Sequence, residues 1–128
     1  MSERIYQGIR DRRGLPEVYV IDNRRRRTLK EQLMLYREPF ELDWGFPGEE
    51  SHNLALSLLA DALDDGDDPM VDRLARRLHD ELVSNLPQAG WQIHQWQILD
   101  WVFGRIIRIP VHQLPLDALG GGVQPGVN

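Results

Sequence analysis

The most concentrated chemical feature of the sequence is a run of four arginines. Arg24, Arg25, Arg26 and Arg27 are followed closely by Lys30. Each guanidinium presents paired N–H donors that match the oxygens of a carboxylate or a phosphate. The run therefore predicts a surface that binds either an acidic protein or the backbone of a nucleic acid. A solvated loop with no partner is the alternative interpretation.

A second cluster carries the opposite charge. Aspartates surround Gly66 on both sides, namely Asp64, Asp65, Asp67 and Asp68. An EF-hand calcium loop needs ligands at alternate positions and a terminal glutamate, so this spacing does not indicate a metal site. We expect either an acidic loop that binds a protein partner by imitating phosphates, or a plain turn between two helices in which an aspartate caps the second.

The residues that most often carry catalysis show no catalytic spacing. The chain has no cysteine, which excludes a thiol nucleophile, a disulfide framework and cysteine zinc sites. Its four histidines lie far apart, and its serines stand outside any Gly-x-Ser-x-Gly motif. The turn at residues 45–48 is not followed by the lysine of a phosphate-binding loop. We therefore predict no catalytic residue, no metal and no cofactor, and keep as an alternative an enzyme site assembled from Asp61, His79 and Asp100.

The charge of the chain is unevenly distributed. The 128 residues carry 15 Lys+Arg and 20 Asp+Glu, a net charge of −5. Residues 1–40 hold ten bases and six acids (10 − 6 = +4), whereas residues 41–128 hold five and fourteen (5 − 14 = −9). Such a molecule repels a nucleic acid duplex except along one edge. The sequence also lacks an apolar run of about 18 residues and a signal-peptide core, so we expect a cytoplasmic protein with no membrane partner.

Patterns with a period of two predict an antiparallel sheet in the first part of the chain. Residues 5–10 and 17–22 alternate around the turn residues 11–14 and predict a hairpin. Residues 27–29 fit a short third strand, followed by one helical turn within residues 28–35. Residues 40–44 alternate again and end at the Gly/Pro turn 45–48. Residues 91–93 fit a short strand at the sheet edge.

Helical patterns dominate the second part. We predict helices over residues 51–63, 69–86 and 95–108, with Ser51 and Asp68 as N-caps and Pro69 at the first helical position. The first and third leave only a narrow polar stripe and should be mostly buried. The sequence therefore predicts one α+β domain over residues 1–109, with a three- or four-stranded antiparallel sheet packed on one face by about three helices. Residues 110–128 are rich in Pro and Gly and predict a flexible tail.

The aromatic residues divide into core and surface candidates. We assign Trp44 and Trp101 to the core and keep Trp91 or Trp96 as a surface anchor for a partner. The second face of the sheet decides the oligomeric state. If Tyr6, Tyr19 or Leu42 leaves an apolar strip there, that strip should pair with a partner or with a second copy, which makes a homodimer an expectation.

Three segments carry a resemblance to a known family. They are Tyr6-Gln7-Gly8-Ile9-Arg10, Trp44-Gly45-Phe46-Pro47-Gly48 and the Leu/Ala-rich helix at residues 54–61. In this order they resemble a small domain-of-unknown-function family of phages, plasmids and bacterial chromosomes, whose members have a Tyr-x-Gly-x-Arg start, a Trp-Gly-aromatic-x-Gly turn and a Trp-rich closing segment. The resemblance covers roughly residues 4–103. The chain departs from it at residues 50–52, where the family has a Gly-Pro step.

The resemblance implies a mobile-element setting, in which small proteins often bind and block host machinery. We therefore expect a non-catalytic protein-binding protein of a phage or mobile element, an inhibitor of a bacterial defence complex of the anti-CRISPR type. One alternative is a nucleic-acid-binding accessory protein that uses the arginine run. The other is the enzyme with a site assembled from distant residues.

Overall fold

The computed structural model describes residues 3–29 and 41–114 and shows the expected α+β class. Five strands form one antiparallel sheet in the order β3-β2-β1-β4-β5, one strand more than the upper limit of the prediction. The elements, in chain order, are β1 (Arg4–Arg10), β2 (Pro16–Asp22), β3 (Arg25–Thr28), α1 (Glu49–Leu63), α2 (Pro69–Glu81), a 3₁₀ turn (Val83–Asn85), β4 (Gly90–His94), α3 (Gln95–Val102) and β5 (His112–Gln113).

Local turn chemistry builds the first three strands. Between β1 and β2, the Asp11 carboxylate accepts the backbone N–H groups of Arg13 and Leu15. Between β2 and β3 the turn has only two residues, Asn23 and Arg24, with φ of 53° and 69°. Two successive positive φ angles are the signature of a type I′ turn, whose twist matches that of the flanking strands. The third strand therefore begins earlier than predicted, so that most of the arginine run lies in a strand.

Alternation along the strands separates an inner face from an outer face. The inner face packs against α1 and carries side chains that are fully or almost fully buried, Tyr6, Val18, Val20, Trp91 and Ile93. Leucines of α1 and α2 complete the core, as the period of their sequences predicts. The assignment of Trp44 and Trp101 to the core is confirmed. Trp91 is also buried, whereas Trp96 is 51% exposed and is the surface tryptophan of the two candidates.

The outer face of the sheet carries polar side chains beside the isoleucines Ile5, Ile9 and Ile21. Gln7 and Gln92 hydrogen-bond across β1 and β4, and Tyr19 donates its hydroxyl to Glu17. Tyr6 points inward and Leu42 is buried, so Tyr19 is the one residue of the predicted strip that lies on this face. A homodimer stays a prediction.

The start of α1 and the end of α3 differ from the prediction. Helix α1 begins at Glu49 after Gly48, and Ser51 lies inside its first turn, where its hydroxyl donates to the carbonyl of Phe46. The predicted N-cap at Ser51 is therefore wrong. Helix α3 ends at Val102, not at residue 108, because Gly104 adopts φ +77° and ends the helical path.

Helix α2 starts as predicted. Asp68 accepts the backbone N–H of Met70 with its carboxylate, and Pro69 follows at the first helical position. The helix ends at Glu81, however, and the chain continues to Leu86 through the 3₁₀ turn. The prediction had one continuous helix over both.

Residues 41–44 form no strand, which corrects the prediction for residues 40–44. The Asp43 N–H bonds to the carbonyl of Glu50, and the Gly45 N–H bonds to that of Val83. These partners belong to a helix and a turn. The alternating pattern arises because Leu42 and Trp44 both enter the core, not because the segment joins the sheet.

The last part of the sheet comes from residues beyond the predicted boundary at 109. His112 pairs with Gln92, and the Leu114 N–H bonds to the carbonyl of Gly90. As a result β4, predicted as an edge strand, lies between β1 and β5. The predicted helical turn after Leu29, Phe40 of the predicted strand, and residues 115–128 of the predicted tail lie outside the described residues.

Candidate functional site

The β2–β3 hairpin divides the four arginines between structural and exposed roles. Arg27 reaches the inner side of the sheet, where its Nη2 lies 2.9 Å from Asp61 Oδ2. Arg26 points to the outer face, and its guanidinium carbon lies 4.1 Å from the centre of the Tyr19 ring. Arg24 and Arg25 are exposed, and neither forms an ion pair with any residue that the structure describes. The sequence placed all four in one group, whereas the fold separates the ion-paired Arg27 and the stacked Arg26 from Arg24 and Arg25.

Asp61 is the internal anchor of the hairpin. It lies on the buried side of α1 and is 7% exposed. Its Oδ1 accepts the Tyr6 hydroxyl at 2.8 Å and Arg4 Nη1 at 3.0 Å, and its Oδ2 faces Arg27. Burial, followed by the charge of Asp61, raises the pKa of Tyr6, so the phenol stays a neutral donor. Because a buried carboxylate requires such compensation, this network fixes the sheet against α1.

Arg4 joins the hairpin to the acidic loop. Its guanidinium lies 2.6 Å from Asp64 Oδ1 in that loop and 3.5 Å from Asp22 Oδ2 at the end of β2. Burial acts to lower the pKa of Arg4, but its hydrogen bonds and the two aspartates Asp61 and Asp64 outweigh that effect and raise it. The two oppositely charged clusters of the sequence therefore lie at the same end of the sheet.

The acidic loop at residues 64–68 combines structural and exposed carboxylates. Asp64 ends α1 in the left-handed region at φ 57°. Asp65 accepts the N–H of Asp67 at 3.0 Å, and Asp68 caps α2. The carboxylates of Asp65 and Asp67 remain on the exposed side of the loop. The turn interpretation thus explains Asp64 and Asp68, while Asp65 and Asp67 stay available to a partner.

A surface groove of about 680 Å³ follows the hairpin. It is lined by Asp22, Asn23, Arg25, Arg26 and Arg27. Two buried atoms of its lining, Nη1 of Arg27 and Oδ1 of Asp22, have no hydrogen-bond partner among the described residues. Because both atoms are buried, the groups that the groove presents to a ligand are the exposed Arg25 and Arg26. Lys30, predicted to extend this surface, lies outside the described residues.

The residues of the alternative enzyme site are held in three different groups. Asp61 is bound as described above. His79 contacts Asp80 through Nδ1 at 2.7 Å and accepts the Gly48 N–H at Nε2. Asp100 pairs with Arg105 at 2.8 Å. In the described ranges no group of three or more metal-ligating side chains is close enough to hold an ion, and no helix there is long and apolar enough to cross a bilayer.

The inner face of β1 explains the Tyr-x-Gly-x-Arg start of the sequence. Tyr6, Gly8 and Arg10 are spaced by two and lie on the same side of the strand. Tyr6 bonds to α1, Gly8 makes room for Trp91, and Arg10 stacks 4.4 Å from the Trp44 ring. The motif is therefore a packing motif that joins β1 to the helix, to β4 and to the loop before α1.

Comparison with known families gives one match over most of this fold. The model of a family of unknown function, DUF6166, matches residues 6–104. The chain belongs to the DUF6166 family. The DUF6166 match extends from β1 to the residues that end α3 and includes both the hairpin and the acidic loop, whereas β5 lies beyond it. No curated protein and no solved structure gives a significant match.

Sequence reasoning missed two residues of this site, Arg4 and Asp22, and considered Asp61 only for the alternative enzyme site. Arg4 and Asp22 face each other across the ends of β1 and β2, a pairing that the predicted hairpin register contains. Asp61 lies in the narrow polar stripe of a helix that is otherwise mostly apolar and buried. A single carboxylate at such a position is a signal for a buried ion pair, because it is costly without a cationic partner.

Proposed function

We propose that this DUF6166 protein is a non-catalytic protein-binding module that contacts an acidic partner through Arg24 and Arg25. The observation that carries the proposal is the division of the arginine run. Arg27 fixes the hairpin internally, while Arg24 in the two-residue turn and Arg25 at the start of β3 remain exposed. Exposed arginines on a rigid element are favourable contact residues, since they pair with carboxylates at little cost in backbone order.

The surroundings of the hairpin favour a protein over a nucleic acid. Asp22 lies in the groove itself, and Asp64, Asp65 and Asp67 lie at the same end of the sheet. A phosphate backbone carries one sign of charge and is repelled by such carboxylates. A protein surface with both signs fits them, because its basic residues pair with Asp65 and Asp67 while its acidic residues meet the arginines.

We further propose that the biological role of this binding is inhibition. A small binding protein of a phage or mobile element, acting in the cytoplasm of its host, blocks a bacterial defence complex by occupying a charged surface of that complex. This form draws on the setting that the family resemblance implies and on the two-signed surface, in which aspartates imitate phosphates.

A pair of charge-reversed double variants tests the contact. A photoreactive amino acid at position 24 captures the partner in the native host, and the purified partner is then titrated by calorimetry. We expect R24E/R25E to weaken binding by about tenfold or more, because two favourable pairs become repulsive. R12E/R13E is the matched control, since these arginines are also exposed but lie in the β1–β2 turn at the other end of the strands. Equal effects of both variants would refute the assignment.

Nucleic-acid binding is the second candidate, favoured by the exposed Arg25 and Arg26 that line the same groove. It predicts affinity for random DNA or RNA that falls steeply with salt, with a slope of about −0.9 per neutralised phosphate on duplex DNA. A flat salt dependence, or binding that the R24E/R25E variant retains, excludes it.

A further inference from the structure

The hydrogen-bond pattern of β3 determines which backbone groups face the open side of the sheet. The Leu29 N–H bonds to the carbonyl of Val18, in register with the pairs Val20↔Arg27 and Asp22↔Arg25. In an antiparallel pair, bonded positions recur at every second residue. Arg25, Arg27 and Leu29 therefore point their backbone groups toward β2, and the N–H and C=O groups of Arg26 and Thr28 point away from it.

No strand of the described chain lies beyond β3, because β3 is the first strand in the sheet order. The backbone groups of Arg26 and Thr28 thus form an edge to which another strand can add. The opposite edge is β5, whose two residues are too few to bind a strand of comparable length.

The side chains of β3 select the charge of an added strand. Arg25 lies on the inner side of the edge and Arg26 on the outer side, so both faces of the edge are cationic. A second copy of β3 would place arginines against arginines, and like charges on paired strands are destabilising. Charged side chains protect edges against self-association in this way. A strand that carries carboxylates is attracted to these arginines and not repelled by them.

We propose that β3 binds an extended acidic segment of the partner as a sixth strand of the sheet. This inference rests on the proposed function and adds the mode of recognition: two backbone pairs at Arg26 and Thr28, with adjacent carboxylates of the segment paired to Arg25 and Arg26. Because successive side chains of a strand point to opposite faces, the segment needs two neighbouring acidic residues, one for each arginine.

A synthetic peptide tests this mode directly. The probe is an eight-residue peptide of valine and threonine with two adjacent glutamates at its centre and blocked ends. Amide hydrogen exchange, read by NMR on the full chain, should slow at Arg26 and Thr28 when the peptide binds. The amides of Arg25 and Arg27 are the control within the same strand, since they are already bonded to β2. Unchanged exchange at Arg26 and Thr28 with bound peptide refutes strand addition.

Two modified peptides separate this inference from the proposed function. N-methylation of the amides that face β3 should weaken binding by about tenfold or more, because each lost backbone bond leaves a partner unsatisfied. Replacing both glutamates by glutamines should also weaken it. If the N-methylated peptide binds normally while the glutamine peptide does not, the inference fails and the arginine contact stands. If neither the probe nor R24E/R25E shows any effect, both fail. Protection of Arg26 and Thr28 that rises with protein concentration alone means a second copy occupies the edge, and the inference is wrong.

Discussion

The indole of Trp91 lies over Gly8, so close that a Cβ on Gly8 would stand 2.3 Å from the ring. The two residues face each other across β1 and β4. Trp91 is fully buried and also meets Trp44 edge to face at 5.6 Å. A glycine at position 8 is therefore a steric requirement of the inner face of the sheet and not a turn residue.

Replacing Gly8 by alanine should destabilise the protein by about 1–3 kcal/mol, the usual range for overpacking a core. Urea unfolding measures the change. In a Trp91→Phe background, where the ring is smaller, the same substitution should cost less. If the two substitutions are additive, the contact does not limit position 8.

The Asp61 network predicts a large difference between two conservative substitutions. Asp61→Asn leaves Arg4 and Arg27 without their buried anion and should cost about 3 kcal/mol. Tyr6→Phe removes a single hydrogen bond from the same carboxylate and should cost about 1 kcal/mol. Unfolding free energies from denaturant titration give the comparison. Equal costs would mean that Asp61 does not anchor the arginines.

The arginine run should divide in a stability measurement as it does in the structure. Arg24→Ala/Arg25→Ala changes exposed side chains and should alter the free energy of unfolding by less than about 0.5 kcal/mol. Arg27→Ala removes the partner of a buried carboxylate and should lower it clearly more. Thermal unfolding followed by circular dichroism is sufficient. A destabilised double variant would contradict the exposed role of Arg24 and Arg25.

His52 predicts a loss of stability in acid. Burial, with the nearby imidazole of His79, lowers the pKa of His52 below its usual 6.5. The unfolded chain therefore takes up its proton first, so stability is complete above about pH 6.5 and falls as the pH drops toward the folded pKa. The His52→Gln variant should lose less stability than the parent between pH 7 and about pH 5.5. The same loss in both would assign the acid effect to other groups.

The acidic loop offers a matched pair of aspartates. Asp68→Ala removes the N-cap of α2 and should cost about 1 kcal/mol. Asp67→Ala changes an exposed carboxylate and should alter the free energy of unfolding by less than about 0.5 kcal/mol. It should lower the affinity for a partner that binds this loop. Chemical denaturation of the two variants tests the assignment, and a reversed order of stabilities would contradict it.

The elements that depend on neighbours in sequence were predictable. The β1–β2 hairpin was predicted within one residue at each described end, because alternation and the Asp11–Gly14 turn act locally. The start of α2 follows from Asp68 and Pro69 for the same reason. The start of β3 did not, since Arg24 at φ 69° is a conformation that an arginine rarely adopts.

The site was only partly visible in the sequence for a related reason. The run of arginines stands out in composition, but the separation of Arg27 from Arg24 and Arg25 requires Asp61, which approaches only when α1 packs on the sheet. The alternating pattern at residues 40–44 predicted a strand that residues 41–44 do not form. Burial of Leu42 and Trp44 in a loop produces the same alternation as a strand.

Arg4 has a consequence for how a partner would be recognised. By contacting Asp22, Asp61 and Asp64 together, it ties the end of β2 to the last turn of α1 and to the start of the acidic loop. The exposed ends of the β2–β3 hairpin and of the acidic loop are therefore held at a fixed distance from each other. Binding of a partner then costs little conformational entropy at these two segments. If the proposed function holds, substitutions at positions 24, 25, 65 and 67 should alter the choice of partner without lowering the stability of the fold.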